Sequence, residues 1–320
     1  MERFVEVQSV SSGRRQFLRT VAGLGVAQGV LGTVRVDASD VLPNPVGCAT
    51  IAWPREEFTH ALETISRLGY RGVQLLGWVR EAYAGTKAQQ LREHLASLKL
   101  QAVALSCSAL RLAPERPGNE NAEVRAYAEF FSPLGGSFLQ VIDQGNPSKE
   151  YPAEDIRNLG ARMNALGKVA HDFGLTLGYH PHFGTMGETR KGLGHILEAT
   201  DPQFVKLIAD GAHLALGGSD PAEVIRTYGE RLCFLHLKDL RREIAAVARQ
   251  DRNLVEGKGP PFCEIGLGVV DFAAVVQAMR AVRFSGWVVV ELDGGNSTLG
   301  SPDASAAKNR DELRKLGFDV

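Results

Sequence analysis

At four places in its second half, ionisable side chains close an apolar run of this 320-residue chain. The tips are Tyr179-His180-Pro181-His182, Asp210-Gly211-Ala212-His213, His236-Leu237-Lys238-Asp239 and Glu291-Leu292-Asp293, and they hold four of the eight histidines. Imidazoles and carboxylates brought to one place make a nitrogen–oxygen site suited to a divalent metal ion such as Mn, Co, Fe, Mg or Zn. No thiolate belongs to the set, which argues against a structural zinc site. Taken singly, a strand-end histidine usually does no more than hydrogen-bond at a rim, and Asp210 would read as a loop cap. Recurrence at four successive tips is what points to a shared site.

Such convergence needs a scaffold that brings distant strand ends together. Short apolar, β-branched runs begin near Val46, Gly72, Gln101, Ser137, Leu175, Phe204, Leu232 and Trp287, most of them about 27 to 38 residues apart, the size of one strand–helix unit. Helical periodicity fills the gaps: Phe58, Ala61, Leu62, Ile65 and Leu68 share one face, as do Ile156, Leu159, Met163, Leu166 and Val169. Continuous apolar strands suit a parallel sheet covered on both faces. The pattern predicts an α/β fold, a (β/α)8 TIM barrel over residues 39–320, whose chemistry belongs at the C-terminal ends of its strands. A doubly wound open sheet is the alternative, but no G-x-G-x-x-G follows the first strand. The polar stretch from Leu240 to Phe262 reads as an insertion over the mouth, a candidate lid. Trp53 and Trp78, near the first two strand ends, offer faces for a sugar ring, and Arg241 could meet an anionic substrate.

Composition excludes several classes. With 36 basic and 37 acidic residues, 44% hydrophobic and 23% charged, the chain is neither disordered nor basic enough for nucleic acid to be its main partner. Residues 1–38 read as an address label. Arg14-Arg15-Gln16-Phe17-Leu18-Arg19 precedes a glycine-broken apolar stretch from Val21 to Val34 and then Val36-Asp37-Ala38. That stretch spans 14 residues, short of the roughly 20 needed to cross a membrane, so no stable membrane insertion is expected. It looks like a twin-arginine signal, which implies a twin-arginine translocase as export partner and a periplasmic or secreted product. Cys48, Cys107, Cys233 and Cys263 lack metal-type spacing, and no structural disulfide is expected.

These tips resemble the xylose-isomerase-like barrel superfamily of sugar isomerases, epimerases and dehydratases, and more narrowly its inosose dehydratase branch. The segments that carry the likeness are YHPHFGT (Tyr179–Thr185), DGAHLALGGSDP (Asp210–Pro221), HLKD (His236–Asp239), GLGVVDF (Gly266–Phe272) and GWVVVE (Gly286–Glu291), in the family's order. The likeness covers residues 45–300 and is strongest in the last half. It implies one divalent metal ion held by a Glu, an Asp, a His and a second Glu. By position, Asp210, His236 and Glu291 take the last three places, and His180 stands where the first Glu would be. Whether His180 or His182 meets the metal stays open. The resemblance further implies that His182 and His213 face the substrate and that Lys238 shares a strand face with the metal histidine.

Superfamily epimerases use two metal-bound glutamates as paired acid and base. With no carboxylate at position 180, only Glu291 remains of that pair. A one-base reaction therefore gains weight: a metal-dependent enolising lyase, with Glu291 as base and Lys238 or His182 as acid to the departing oxygen. The implied substrate is a small carbohydrate or cyclitol: a keto-sugar, a keto-glycoside, or a keto-cyclitol such as inosose. Export favours an oxidised free sugar or glycoside over a cytosolic cyclitol. Alternatives are a sugar isomerase or epimerase with the same first step, and a non-catalytic sugar-binding barrel. A metal nuclease of the related endonuclease barrel is set aside, because the early strands lack its carboxylates and carry Gln74 instead.

Overall fold

The computed structural model describes residues 41–320, apart from 108–109, 111, 115–119, 252, 254 and 256. The twin-arginine segment expected from the sequence lies outside the described residues. Among the described residues no helix is long and apolar enough to cross a membrane.

Eight strands close into a barrel: β1 (Val46–Ala49), β2 (Gly72–Leu76), β3 (Gln101–Ser106), β4 (Phe138–Val141), β5 (Thr176–Tyr179), β6 (Val205–Asp210), β7 (Leu232–Leu237) and β10 (Trp287–Val290). Each of the eight expected runs supplies one strand. All neighbours pair in parallel, and β1 closes the ring on β10 with Val46 opposite Val288, which rules out the open-sheet alternative. Ring closure leaves no free strand edge, and the strands are buried almost throughout.

Side chains alternate between the helix-covered outside and the barrel interior. Ala49, Val103, Ala104, Ile208, Cys233, Phe234 and Val289 form an inner apolar cluster. Ile208, Phe234 and Val289 lie two residues before Asp210, His236 and Glu291, so the same strand faces carry an apolar floor and, one layer higher, polar groups. Outside the barrel, α1 (Phe58–Arg67) buries Phe58, Ala61, Leu62 and Ile65, and α5 (Ala153–Asp172) buries Leu159, Met163 and Leu166, the faces their periodicity marks. The four cysteines are free and buried.

The insertion after β7 is more ordered than its polar composition suggests. Two short antiparallel strands, β8 (Asp239–Leu240) and β9 (Phe262–Cys263), flank the helix α9 (Arg242–Gln250). Ile244 and Ala245 of that helix join Ala212, Leu216, Leu240, Phe262 and Leu292 in a satellite apolar cluster.

Helix α5 comes close to the neighbouring unit through two glycines seven residues apart. A Cβ on Gly160 would lie 2.2 Å from the Ala199 carbonyl oxygen, and one on Gly167 would lie 2.3 Å from that of Phe204. Alanine is better than glycine in a helix by about 1 kcal/mol. Here the clash is with backbone, which cannot rotate away, so overpacking of about 1–3 kcal/mol wins. Gly160→Ala is expected to lower the urea midpoint of unfolding; an unchanged or higher midpoint would contradict this packing.

Candidate metal centre

The four sequence tips meet at one end of the barrel, and burial leaves their polar atoms few partners. Asp210 ends β6 and caps the short helix α7 (Gly211–Leu216): its Oδ1 accepts from the backbone N–H groups of Ala212 and His213, both at 2.9 Å. Its Oδ2 is fully buried and has no hydrogen-bond partner. His180 Nε2 approaches that oxygen at 3.5 Å and His236 Nδ1 at 3.6 Å. Both ring nitrogens of His180 are unpartnered, as is Nδ1 of His236. Glu291, just beyond β10, brings Oε2 within 3.3 Å of His236 Nε2. Unsatisfied buried donors and acceptors are rare in folded proteins. Three of these atoms, Asp210 Oδ2, His180 Nε2 and His236 Nδ1, face one another, as the donors of a cation-binding pocket do.

Ligand atoms of Asp210, His236 and Glu291 lie within 4.8 Å of one another, as do those of His180, Asp210 and His213. The two groups share Asp210, but His213 differs from the others in its tautomer. The backbone N–H of Phe183 donates to His213 Nδ1 at 3.2 Å, so Nδ1 carries the lone pair and Nε2 the proton. Its unpartnered Nε2 is therefore a hydrogen-bond donor, not a metal ligand. His182 stacks on His213 at 3.6 Å between ring centroids. Of the two candidates at the end of β5, it is His180 that faces Asp210.

Electrostatics suit the same reading. The Lys238 ammonium is buried, at 2.8 Å from Glu291, 3.1 Å from Asp293 and 3.4 Å from Asp210. Burial disfavours its charge, but the three carboxylates outweigh that and hold its pKa above the ordinary lysine value. Burial likewise pushes Asp210 up, yet the Lys238 ammonium holds its carboxyl well below the usual range. Burial depresses His236 and His213, and the nearby Lys238 ammonium adds to both effects. His182 is pushed down to about 4 by burial, then by His180 and Lys238. Near neutral pH these three imidazoles carry no charge, the form in which histidine binds metals or donates one hydrogen bond.

Over this cluster sits the insertion, pinned at its stem. Asp239 accepts from the backbone N–H groups of Leu240 and Val270 through Oδ1 and of Gly266 and Gly268 through Oδ2, at 2.8 to 3.0 Å. Phe262 of β9 lies over the Lys238 ammonium, 4.6 Å from Nζ to the ring centroid, and edge-on to His213. The Arg241 guanidinium donates to the carbonyl oxygens of Phe262 at 2.7 Å and Asn296 at 2.9 Å, tying the insertion to the segment after β10. Trp53, expected near the sugar, is buried in the main core and its indole N–H donates to Asp303. Trp78 packs edge-on against Phe58.

Sequence reading missed the other half of the ring. Gln74 of β2 is fully buried and touches His236 and Glu291, while Gln140 of β4 and Ser106 of β3 contact its amide. The signal was present: a glutamine inside an otherwise apolar strand must find buried partners. Asp293 was quoted with its tip but not tied to Lys238.

A family model described as xylose isomerase-like TIM barrel matches residues 62–316. The chain belongs to this family. Among relatives of this barrel, an inosose dehydratase from Geobacillus thermodenitrificans is 31% identical over 215 residues, 62% of this chain and 72% of the relative. An inosose dehydratase from Clostridium botulinum is 24% identical over 294 residues, 84% and 96% of the two chains. The solved structure of the IolI protein with a bound zinc atom superposes with a TM-score of 0.69 at 16% identity, over 85% of this chain and 98% of that one. The fold is thus shared, and this member of the xylose isomerase-like family is a sugar-modifying enzyme. That sets aside the non-catalytic barrel.

In chelator-treated protein, Lys238→Met would leave three carboxyl groups facing one another without their cation. Breaking a buried pair on one side is strongly destabilising, about 3–5 kcal/mol. Urea unfolding of the metal-free variant should show a loss of that order; a loss under 1 kcal/mol would mean Lys238 does not hold the cluster together.

Proposed function

We propose that this enzyme is a divalent-metal-dependent lyase that removes water, or another β-leaving group, from a keto-cyclitol or keto-sugar by way of an enolate. The observation that carries the reading is the set of unpartnered buried atoms on His180, Asp210 and His236, opposite the carboxylate of Glu291. Those four residues would hold the ion, with His180 as the strand-five ligand. Support for elimination comes from the relatives, which are dehydratases of inosose.

When bound, the cation supplies Lewis-acid charge that stabilises developing negative charge on the substrate's ketone oxygen. The protein's own groups carry the proton traffic. Glu291 is placed to take the proton from the carbon beside the ketone. The C–H electron pair becomes the enolate, and its return expels the oxygen on the next carbon. The departing hydroxyl needs a donor, which Lys238 supplies as a hydrogen-bonding ammonium 2.8 Å from Glu291. A proton received by Glu291 can pass along that contact, so substrate loses one water in all. His182 and His213, both neutral, offer N–H groups to ring hydroxyls, and Phe262 excludes water above Lys238. A single carboxylate at the reacting carbon suits one-base elimination better than two-base epimerisation.

We propose also that residues 1–38 direct export by the twin-arginine route, which would put the enzyme among free oxidised sugars and glycosides outside the cytoplasm. Support is the Arg14-Arg15 motif with its short apolar run. Fractionation of cells making the full chain should find it outside the cytoplasm, and Arg14→Lys with Arg15→Lys should retain it inside.

Elemental analysis of the purified protein is expected to give about one divalent ion per chain, lost in His236→Ala. The metal-loaded protein should eliminate water from inosose, or the aglycone from a 3-keto-glycoside, with growth of enone absorbance. Glu291→Gln should slow this about a hundred- to ten-thousand-fold while the protein stays folded. Solvent deuterium entering recovered substrate with no elimination would replace the lyase by an epimerase or isomerase. No metal under any loading would remove the mechanism.

A further inference from the structure

The metal-site reading leaves Gln74 without a task, although it is completely buried on a strand that carries none of the candidate ligands. It stands level with Ala49 on β1 and Ala104 on β3, and its side chain reaches His236 on the opposite side of the ring. We propose that Gln74 is a positioning residue: it fixes the tautomer of His236 and thereby selects Nδ1 as the nitrogen offered to a cation.

The argument starts from Glu291, whose carboxylate can only accept. It lies 3.3 Å from Gln74 Nε2, so the amide turns its NH2 group toward Glu291. The same NH2 group finds Gln140 Oε1 at 2.9 Å and Ser106 Oγ at 3.2 Å. Gln74 Oε1 is thereby directed at His236, 2.7 Å from Nε2. An amide oxygen is only an acceptor, and the other atom near His236 Nε2 is Glu291 Oε2 at 3.3 Å, also an acceptor. The imidazole proton therefore sits on Nε2. Nδ1 keeps its lone pair and faces Asp210 Oδ2 with no hydrogen bond. Three strands without ligands thus decide how the fourth presents its own, through the relay Ser106 and Gln140 to Gln74 to His236. Hydrogen-bonded partners of this kind orient ligating histidines and affect metal affinity about 10- to 100-fold.

The inference rests on the metal-site reading for its purpose, but the tautomer can be read without metal or turnover. A long-range 1H–15N spectrum of uniformly labelled, metal-free protein should show His236 neutral with its proton on Nε2, the resonance being identified by its loss in His236→Gln. A proton on Nδ1 would overturn the proposal. Chelator competition with Co(II) gives the second arm, with folding checked by thermal melting. Gln74→Met keeps the length and removes the acceptor, and should weaken cobalt binding at least tenfold and shift its visible spectrum. Gln74→Glu restores an oxygen within reach of His236 Nε2 and should return affinity to within about threefold of the parent. Equal affinity in all three, or equal loss in both variants, would also overturn it. A parent that binds no cobalt would defeat the metal reading alone, since the spectrum would still decide the tautomer.

Discussion

The carboxylate of Asp210 is buried where the sixth strand gives way to a helix, and its two oxygens do different work. Oδ1 receives the N–H groups of Ala212 and His213 in the first turn of that helix. Fixing Oδ1 fixes Oδ2, which then faces His180, His236 and Lys238. A helix cap, worth on the order of 1 kcal/mol to many helices, here also sets the orientation of the group at the centre of the site. Ionisation agrees with both duties, because an ionised carboxylate is the better acceptor for the cap and the better ligand for a cation.

Around that carboxylate the barrel divides its labour. Strands β5, β6, β7 and β10 carry the ligand candidates, whereas β2, β3 and β4 send in Gln74, Ser106 and Gln140, which bind no cation but hold the side chains that would. Asp143, after β4, belongs with them: it accepts from Tyr179 and from the backbone of Met186 and Gly187, securing the loop that follows His180 and His182. Above, the insertion is held by Asp239 and Arg241 at its stem, so Phe262 behaves as a fixed roof.

Much of this was legible in the residues. The eight strands could be read because a parallel barrel demands apolar runs at a spacing set by one helix and two loops. The tips could be read because ionisable groups at strand ends stand out against those runs. What escaped was whatever depended on distance between strands far apart in sequence. Arg241 has the composition of a substrate-binding residue, and only the fold shows its guanidinium caught between two carbonyls. Trp53 reads as a sugar platform, and nothing in the spacing points to Asp303, 250 residues later, which accepts its N–H. Helix α9 was hidden in a polar segment because two of the three residues on its packed face, Ala245 and Ala248 beside Ile244, are alanines. Which of His180 and His182 faces Asp210 is a matter of rotamers and not of spacing.

The ammonium of Lys238 bears on how the pocket would exchange its ion. It is a permanent positive charge a few ångströms from the ligand oxygens, and it steadies the cluster whether or not the pocket is filled. The same charge would repel an incoming dication, so that an ion held by the four candidate ligands would bind less tightly than without it and leave faster. Folding then does not wait on loading, and an ion once lost can be replaced without rebuilding the barrel. With donors this unselective, any occupant would be decided by the relative abundance of metals around the protein, and enzyme from two compartments would carry two different ions.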